Sequence, residues 1–462
     1  MDELGSWDAV ETAERIRSRE VSAKEVVEAA IVRAEASAHL GAVVSTTFDR
    51  AREQLARLDG APFSGVPSFI KDLARLEGVP ITWGSRGAGQ YTAKRSDPSV
   101  RRIEALGFVT LGKSATPELG LTGTTEPVGS EPCRNPWAPS RSSGGSSGGA
   151  ACLVASGVVP LAHASDGGGS IRIPAACCGL VGLKPTRGRF DMEGSELLPV
   201  NIAVTGVVTR TVRDQLAFFR ELEVGRPPKR LPPIGPASSR PARGLRALVF
   251  TDSPSGTEVH GEHRDAARTV GKTLASLGHQ VEEGPCPFSA QVIDDFLEYW
   301  RLVAWMQVVS APITLHWRFD RSAIEPWSAG LSRSFVARRA QVIAATRRLR
   351  RFAATYARAM QTWDLLVCPT TAHPPPVLGH FSAELPFETV FERLRTFLPF
   401  TPLQNSAGAP ALSLPAGQSG VGTPIGVQLA AAQGKDQLLL EVAAAIEAAT
   451  PWPQQAPKAL WS

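Results

Sequence analysis

Two serines in this chain stand where acyl-transfer chemistry would find its requirements. Between Ser140 and Arg189 lie Gly144-Gly145-Ser146-Ser147-Gly148-Gly149 and Asp166-Gly167-Gly168-Gly169-Ser170, separated by an apolar run. Glycine lets the backbone turn sharply and approach a ligand closely. A serine after three glycines therefore sits beside exposed backbone N–H groups, which pairs a nucleophile with donors for a developing oxyanion. A third residue, Lys71, closes the apolar, strand-like run Phe63-Ser64-Gly65-Val66-Pro67-Ser68-Phe69-Ile70-Lys71-Asp72. Lysine is seldom buried without a reason, and a surface lysine at a strand end is the plainer explanation. On the residues alone, three nucleophiles compete. Gly144 to Gly148 fits G-x-S-x-G, which requires an acid and then a histidine further along; His373 is available, but nothing marks it. Cys177 or Cys178 has no obvious neighbouring base, and both suit small buried packing positions. Ser170, preceded by its glycines, is the third.

Taken with the trailing Ile171-Arg172-Ile173-Pro174 and Gly182-Leu183-Lys184-Pro185-Thr186, the two clusters and their spacing resemble the signature of the amidase signature family of serine hydrolases. That resemblance separates the serines. It implies Ser170 as the nucleophile, Ser146 as a bridging serine on a cis peptide, and Lys71, in its G-V-P-x-x-x-K-D context, as the base. A base must be neutral, and burial lowers a lysine pKa by disfavouring the charged form. The proton would pass from Ser170 through Ser146 to Lys71, a Ser–Lys variant of the serine-triad logic. Backbone N–H groups of Gly167, Gly168, Gly169 and Ser170 would form the oxyanion hole, with Ser147, Asp166 and Arg172 at supporting positions. A larger residue often stands in the family where this chain has Gly167, which implies a more pliant loop or a wider pocket. The segment after Thr116 implies an acyl-group pocket, with Leu119, Gly120, Leu121 and Thr122 as lining residues; Gln404 and Asn405, in the closing segment 398–417, are expected to face the cleft. The implied reaction is hydrolysis of the C–N acyl bond of small amides, with esters and carbamates open to the same attack. The apolar 119–122 segment and the tryptophans further along favour apolar or aromatic substrates. Neither metal nor other cofactor is implied, and the expected partner is a small molecule, with the protein a monomer or homodimer. A glutaminase subunit of a tRNA-dependent amidotransferase and a non-catalytic binding protein are the competing classes.

The elements that must position these residues alternate between strand and helix patterns. Residues 6–38 read as two amphipathic helices, the second opened by a capping box at Ser22 and Glu25 and a staple between Val21 and Val26. Val43 to Leu58 reads as a further helix, and Asp97-Pro98 opens one that Gly107 ends. Residues 107–114, GFVTLGKS, match the P-loop pattern, but their centre is β-forming and the first glycine closes a helix, so a helix-turn-strand is expected instead. Helices are predicted after Gly149, over 171–177, 212–222, 262–277 and 437–449, and strands over 108–111, 158–162, 179–183, 245–250, 279–283, 364–369 and 424–430. Such alternation predicts an α/β fold, a central mixed sheet covered by helices on both faces. Residues 225–244 are Pro- and Arg-rich and read as an extended surface connection. Residues 287–362 read as mostly helical and hold Trp300, Trp305, Trp317 and Trp327; this is the cap candidate, with 312–330 as a lid. The resemblance implies one domain over 1–462 with its signature core at about 63–215.

Composition bounds the alternatives. The chain has 462 residues, 43% hydrophobic and 20% charged, with a net charge of +5, which is ordinary for a soluble globular protein. No apolar run of about 18 residues is present, and the acidic, helical start does not read as a secretory signal. Six scattered cysteines without zinc-type spacing read as free thiols, which points to the cytoplasm. The arginines at 338–339 and 347–351 read as a solvated helix face; no aromatics interleave with them as in a nucleic-acid site.

Overall fold

The strand that ends in Lys71, Pro67–Lys71, runs parallel to Val109–Ser114, and Val43–Thr46 pairs antiparallel on the other side of the latter. The helix Pro98–Ala105 joins the two parallel strands, as a parallel pair requires. A second, eight-stranded sheet has the order Gln280–Glu283, Arg246–Val249, Leu365–Pro369, Pro424–Ala430, Ala411–Gln418, Val181–Lys184, Val204–Thr209, Leu161–Asp166. Its first three strands are parallel and the remaining pairings antiparallel, so the sheet is mixed. This arrangement comes from a computed structural model that describes residues 3–236 and 242–461.

Side chains alternate across the large sheet. Leu365 and Val367 pack with the helices Val212–Glu223, Gly261–Ser276 and Asp436–Ala449, whereas Leu366 and Cys368 pack with Gln291–Thr314 and Arg339–Thr362. That period of two covers both faces with helices. The strand Leu161–Asp166 forms one edge of this sheet and lies alongside the small one. Ser68 Oγ donates to Leu161 O at 3.1 Å, and Lys71 N donates to His163 Nδ1 at 3.2 Å. The seam between the sheets therefore runs directly past Lys71.

Most predicted elements are present, with local differences. Val43 to Leu58 is not one helix: Val43–Thr46 is a strand, and the helix is only Phe48–Leu55. The run Val43-Val44-Ser45-Thr46-Thr47 carries four β-branched residues, which favour a pleated surface over a helix. The strand expected at 158–162 begins at Leu161 and continues to Asp166, after Pro160. Asp97 flanks its helix as expected, but its carboxylate does not cap it; it accepts from Arg75 N at 3.0 Å and Arg75 Nε at 2.7 Å. The capping box at Ser22 and Glu25 is formed. In the GFVTLGKS segment, Lys113 is fully buried, donating to Asp72 Oδ1 at 2.8 Å and to Ala74 O at 2.6 Å, which leaves it no role toward a phosphate. Residues 237–241 of the expected surface connection lie outside the described residues. Among the described residues no helix is long and apolar enough to cross a membrane.

Candidate active site

Lys71 sits at the end of a strand whose five residues are all buried, and its side chain is fully inaccessible. Its Nζ lies 2.8 Å from Ser146 Oγ, 2.8 Å from Ser147 Oγ and 3.1 Å from Ser165 Oγ. Three neutral hydroxyls surround it, and no carboxylate is paired with it among the described residues. Burial pushes its pKa down to about 7, against a smaller opposing pull from Asp166. The G-x-S-x-G reading fails on this geometry, because the partner of Ser146 is a lysine and not a histidine.

Each neighbour arrives from a different element. Ser146 follows a cis peptide bond after Gly145, and Ser147 precedes the helix Gly148–Ala155. Ser165 and Asp166 end the edge strand of the large sheet, and the glycine loop then leads to Ser170 and the short helix Arg172–Cys178. His163, two residues before Ser165, accepts from the Lys71 backbone, and burial followed by the two nearby lysines lowers its pKa to about 3. Its place is structural. Cys177 and Cys178 are buried, and burial raises both thiols, opposite to what a nucleophilic thiolate needs.

Asp166 and Arg172 form a fully buried ion pair, Nε to Oδ2 at 3.0 Å. Burial alone would raise the Asp166 pKa, but the charge and hydrogen bond of Arg172, with Lys184 and Asn405, together outweigh it and hold the carboxyl well below the usual range. The carboxylate also accepts from Gly169 N at 2.7 Å, Ile171 N at 3.2 Å and Asn405 Nδ2 at 2.9 Å. This corrects one expectation: the Gly169 N–H is committed to Asp166 and holds the loop's shape. The N–H groups of Gly167, Gly168 and Ser170 have no acceptor among the described residues. Arg172 in turn donates to Thr401 O at 2.9 Å, Gln428 Oε1 at 2.6 Å and Asn405 Oδ1 at 2.6 Å.

Gln404 and Asn405 are a second correction. Both are fully buried in the helix Pro402–Ala407 beneath the loop; Gln404 Oε1 accepts from Arg172 Nη1 at 3.4 Å and from Gln428 Nε2 at 3.2 Å. They brace Arg172 and do not line a cleft.

Ser170 opens onto a cavity of about 80 Å³. Its hydroxyl makes no hydrogen bond to a described residue, so Lys71 and Ser146 are joined in this structure and Ser146 and Ser170 are not. Of the four expected lining residues, Leu121 and Thr122 reach the cavity, and the Thr122 hydroxyl is buried with no hydrogen-bond partner among the described residues. Leu119 and Gly120 are buried outside it; a Cβ on Gly120 would stand 3.3 Å from Ser146 Oγ. Much of the remaining wall comes from helices: Phe296 and Trp300 on Gln291–Thr314, Trp327 on Pro326–Ala337, and Phe391 and Leu394 on Phe387–Phe397. Trp300 and Trp327 therefore belong to the site as well as to the core, whereas Trp317 is 76% exposed. Phe391 and Leu394 carried no sequence signal beyond an amphipathic helix. The wall is mostly apolar, broken by the hydroxyls of Thr122 and Ser170 and by Arg395, its only charged residue among the described ones.

The family model described as Amidase matches residues 25–440 of the chain. "Putative amidase AmiC" of Mycobacterium tuberculosis is 43% identical over 457 residues, which cover 98% of this chain and 96% of that protein. A structure of 6-aminohexanoate cyclic dimer hydrolase complexed with substrate superposes with a TM-score of 0.87 at 34% identity, covering 99% of this chain and 100% of that one. A bacterial aryl acylamidase belonging to the amidase signature enzymes superposes with a TM-score of 0.83 at 28% identity, covering 96% of each. Fold and relatives together define a hydrolase that acts on amides. The chain belongs to the amidase signature family.

Proposed function

We propose that the protein hydrolyses small apolar or aromatic amides through an acyl-enzyme on Ser170, with Ser146 as proton relay and Lys71 as base. The observation that carries this is the burial of Lys71 with its Nζ 2.8 Å from Ser146 Oγ and no carboxylate paired with it among the described residues. Ser170 Oγ attacks the amide carbon while its proton moves to Ser146, which passes its own proton to Lys71 Nζ. The oxyanion is received by the N–H groups of Gly167, Gly168 and Ser170, each such donor being worth about 3 kcal/mol. Collapse breaks the C–N bond, and the proton returns through Ser146 to the departing amine. Water then attacks the ester by the same relay. Hydrogen bonds of this kind often close only around substrate, which accommodates the unpaired Ser170 hydroxyl. The apolar wall, and relatives named for a cyclic amide and for aryl amides, support the substrate class.

The pH dependence tests the base. Lys71 is active when neutral, and its lowered pKa puts the change near neutrality. On a p-nitroanilide, kcat/KM is expected to rise about tenfold per pH unit below about 7 and to flatten above it. A flat profile from about pH 5 to 9 removes Lys71 from the role. An aryl carbamate assayed beside the anilide reports whether urethanes share the site: the same inflection extends the substrate range, and no turnover limits it to amides.

A further inference from the structure

We propose that Trp300 selects the acyl group, admitting straight-chain and flat aryl acyl groups to Ser170 and excluding those branched next to the carbonyl. The inference rests on the acyl-enzyme reading above and goes beyond it to substrate shape.

Two features fix the Trp300 ring at both edges. Its indole N–H donates to Leu121 O at 3.1 Å, and the Trp327 indole N–H donates to the same carbonyl at 3.2 Å. Two helices of the cap thus converge on one backbone atom of the loop that passes Ser146. The far edge of the ring meets the glycine loop: a Cβ on Gly167 would stand 3.5 Å from both Cη2 and Cζ3. Phe296 stacks on Trp300, centroids 5.6 Å apart at 23°, and its Cζ would lie 3.0 Å from a Cβ on Gly168. The Phe296 ring fills the room that a side chain on Gly168 would take, and the Trp300 ring rests at contact distance from Gly167. Gly168, Ser170, Phe296 and Trp300 all line the one small cavity, so the fixed ring stands as a wall beside the reacting end of an acyl group on Ser170.

The acyl group is the part of the substrate that must lie beside this wall. It stays bonded to Ser170 after the amine has left, and the amine must escape to water. A methylene chain or a flat ring presents a narrow profile to that wall. A tertiary carbon beside the carbonyl would have to displace a ring held by a hydrogen bond on one edge and packing on the other. One misfitting methyl group in a rigid apolar pocket typically costs about 10- to 200-fold in kcat/KM.

The test compares p-nitroanilides of butyric, benzoic and 2,2-dimethylpropanoic acids across enzyme variants, so that intrinsic reactivity cancels. In Trp300→Ala the butyryl-to-dimethylpropanoyl ratio of kcat/KM is expected to fall at least about tenfold from its wild-type value. Trp300→Phe, which keeps a flat ring and loses the indole N–H, is expected to retain most of the discrimination. Trp300→Leu serves as the intermediate variant if circular dichroism shows the alanine protein unfolded. An unchanged ratio in a folded small-residue variant overturns the proposal. So does an equal loss on all three substrates, which is what a purely structural tryptophan would give. A wild-type protein inactive on every anilide would instead count against the acyl-enzyme reading itself.

Discussion

Ser170→Ala is expected to lower amide hydrolysis by at least about 10⁴-fold and to leave the fold intact. Removing the nucleophile of a serine hydrolase costs roughly this much or more, because the relay and the oxyanion donors then act on nothing. The folded state should barely register the change. The Ser170 hydroxyl has no hydrogen bond to lose among the described residues and stands at the cavity wall, so unfolding free energy should shift by under about 0.5 kcal/mol. Initial rates on a p-nitroanilide and a urea unfolding curve, taken on the same preparation, check both halves. Mass spectrometry of the wild type with a slow ester should show one acyl adduct on the peptide that holds Ser170, and the variant should show none. Full activity in the alanine variant would place the nucleophile elsewhere.

Arg172→Leu is expected to destabilise the protein by about 3–5 kcal/mol, the cost of stranding a buried charge. Asp166 would keep its backbone donors and Asn405 but lose its only ion-pair partner among the described residues, and Thr401 O, Gln428 and Asn405 would each lose a donor. Activity should fall with stability, since Asp166 shapes the loop through Gly169. Urea unfolding measures the change, and a shift below about 1 kcal/mol would show that the pair contributes little. The double variant Asp166→Asn with Arg172→Leu separates charge from packing. If the stranded carboxylate carries the cost, the double variant should be more stable than Arg172→Leu alone.

The proposed reacting groups could be named from the sequence because each lies in a short run with its own physical signature. Ser170 follows three glycines, Ser146 sits inside another glycine cluster, and Lys71 breaks an apolar strand. The bracing around them was not. Arg172 meets Thr401, Gln404, Asn405 and Gln428, all more than 220 residues away, and nothing local marks a buried glutamine as a brace instead of a substrate contact. Gly169 shows the same limit: three consecutive glycines look alike until Asp166 is seen to claim one N–H. The β-branched residues from Val43 to Thr47 did carry a strand signal, which the apolar pattern further along obscured. The cavity wall was half visible. Trp300 and Trp327 read from the sequence as core packing, and only the cavity that they share with Ser170 shows that they also line the candidate site.

The seam between the two sheets has a consequence for how this protein loses its activity. Lys71 belongs to the three-stranded sheet, while Ser165, Asp166 and the loop to Ser170 hang from the edge of the eight-stranded one. Neither sheet holds the whole of the proposed proton path. Turnover is therefore a gauge of alignment between two separately hydrogen-bonded bodies, joined at this edge by contacts such as Ser68 to Leu161 and Lys71 to His163. A slip of an ångström at that joint would silence the enzyme while every strand and helix survived.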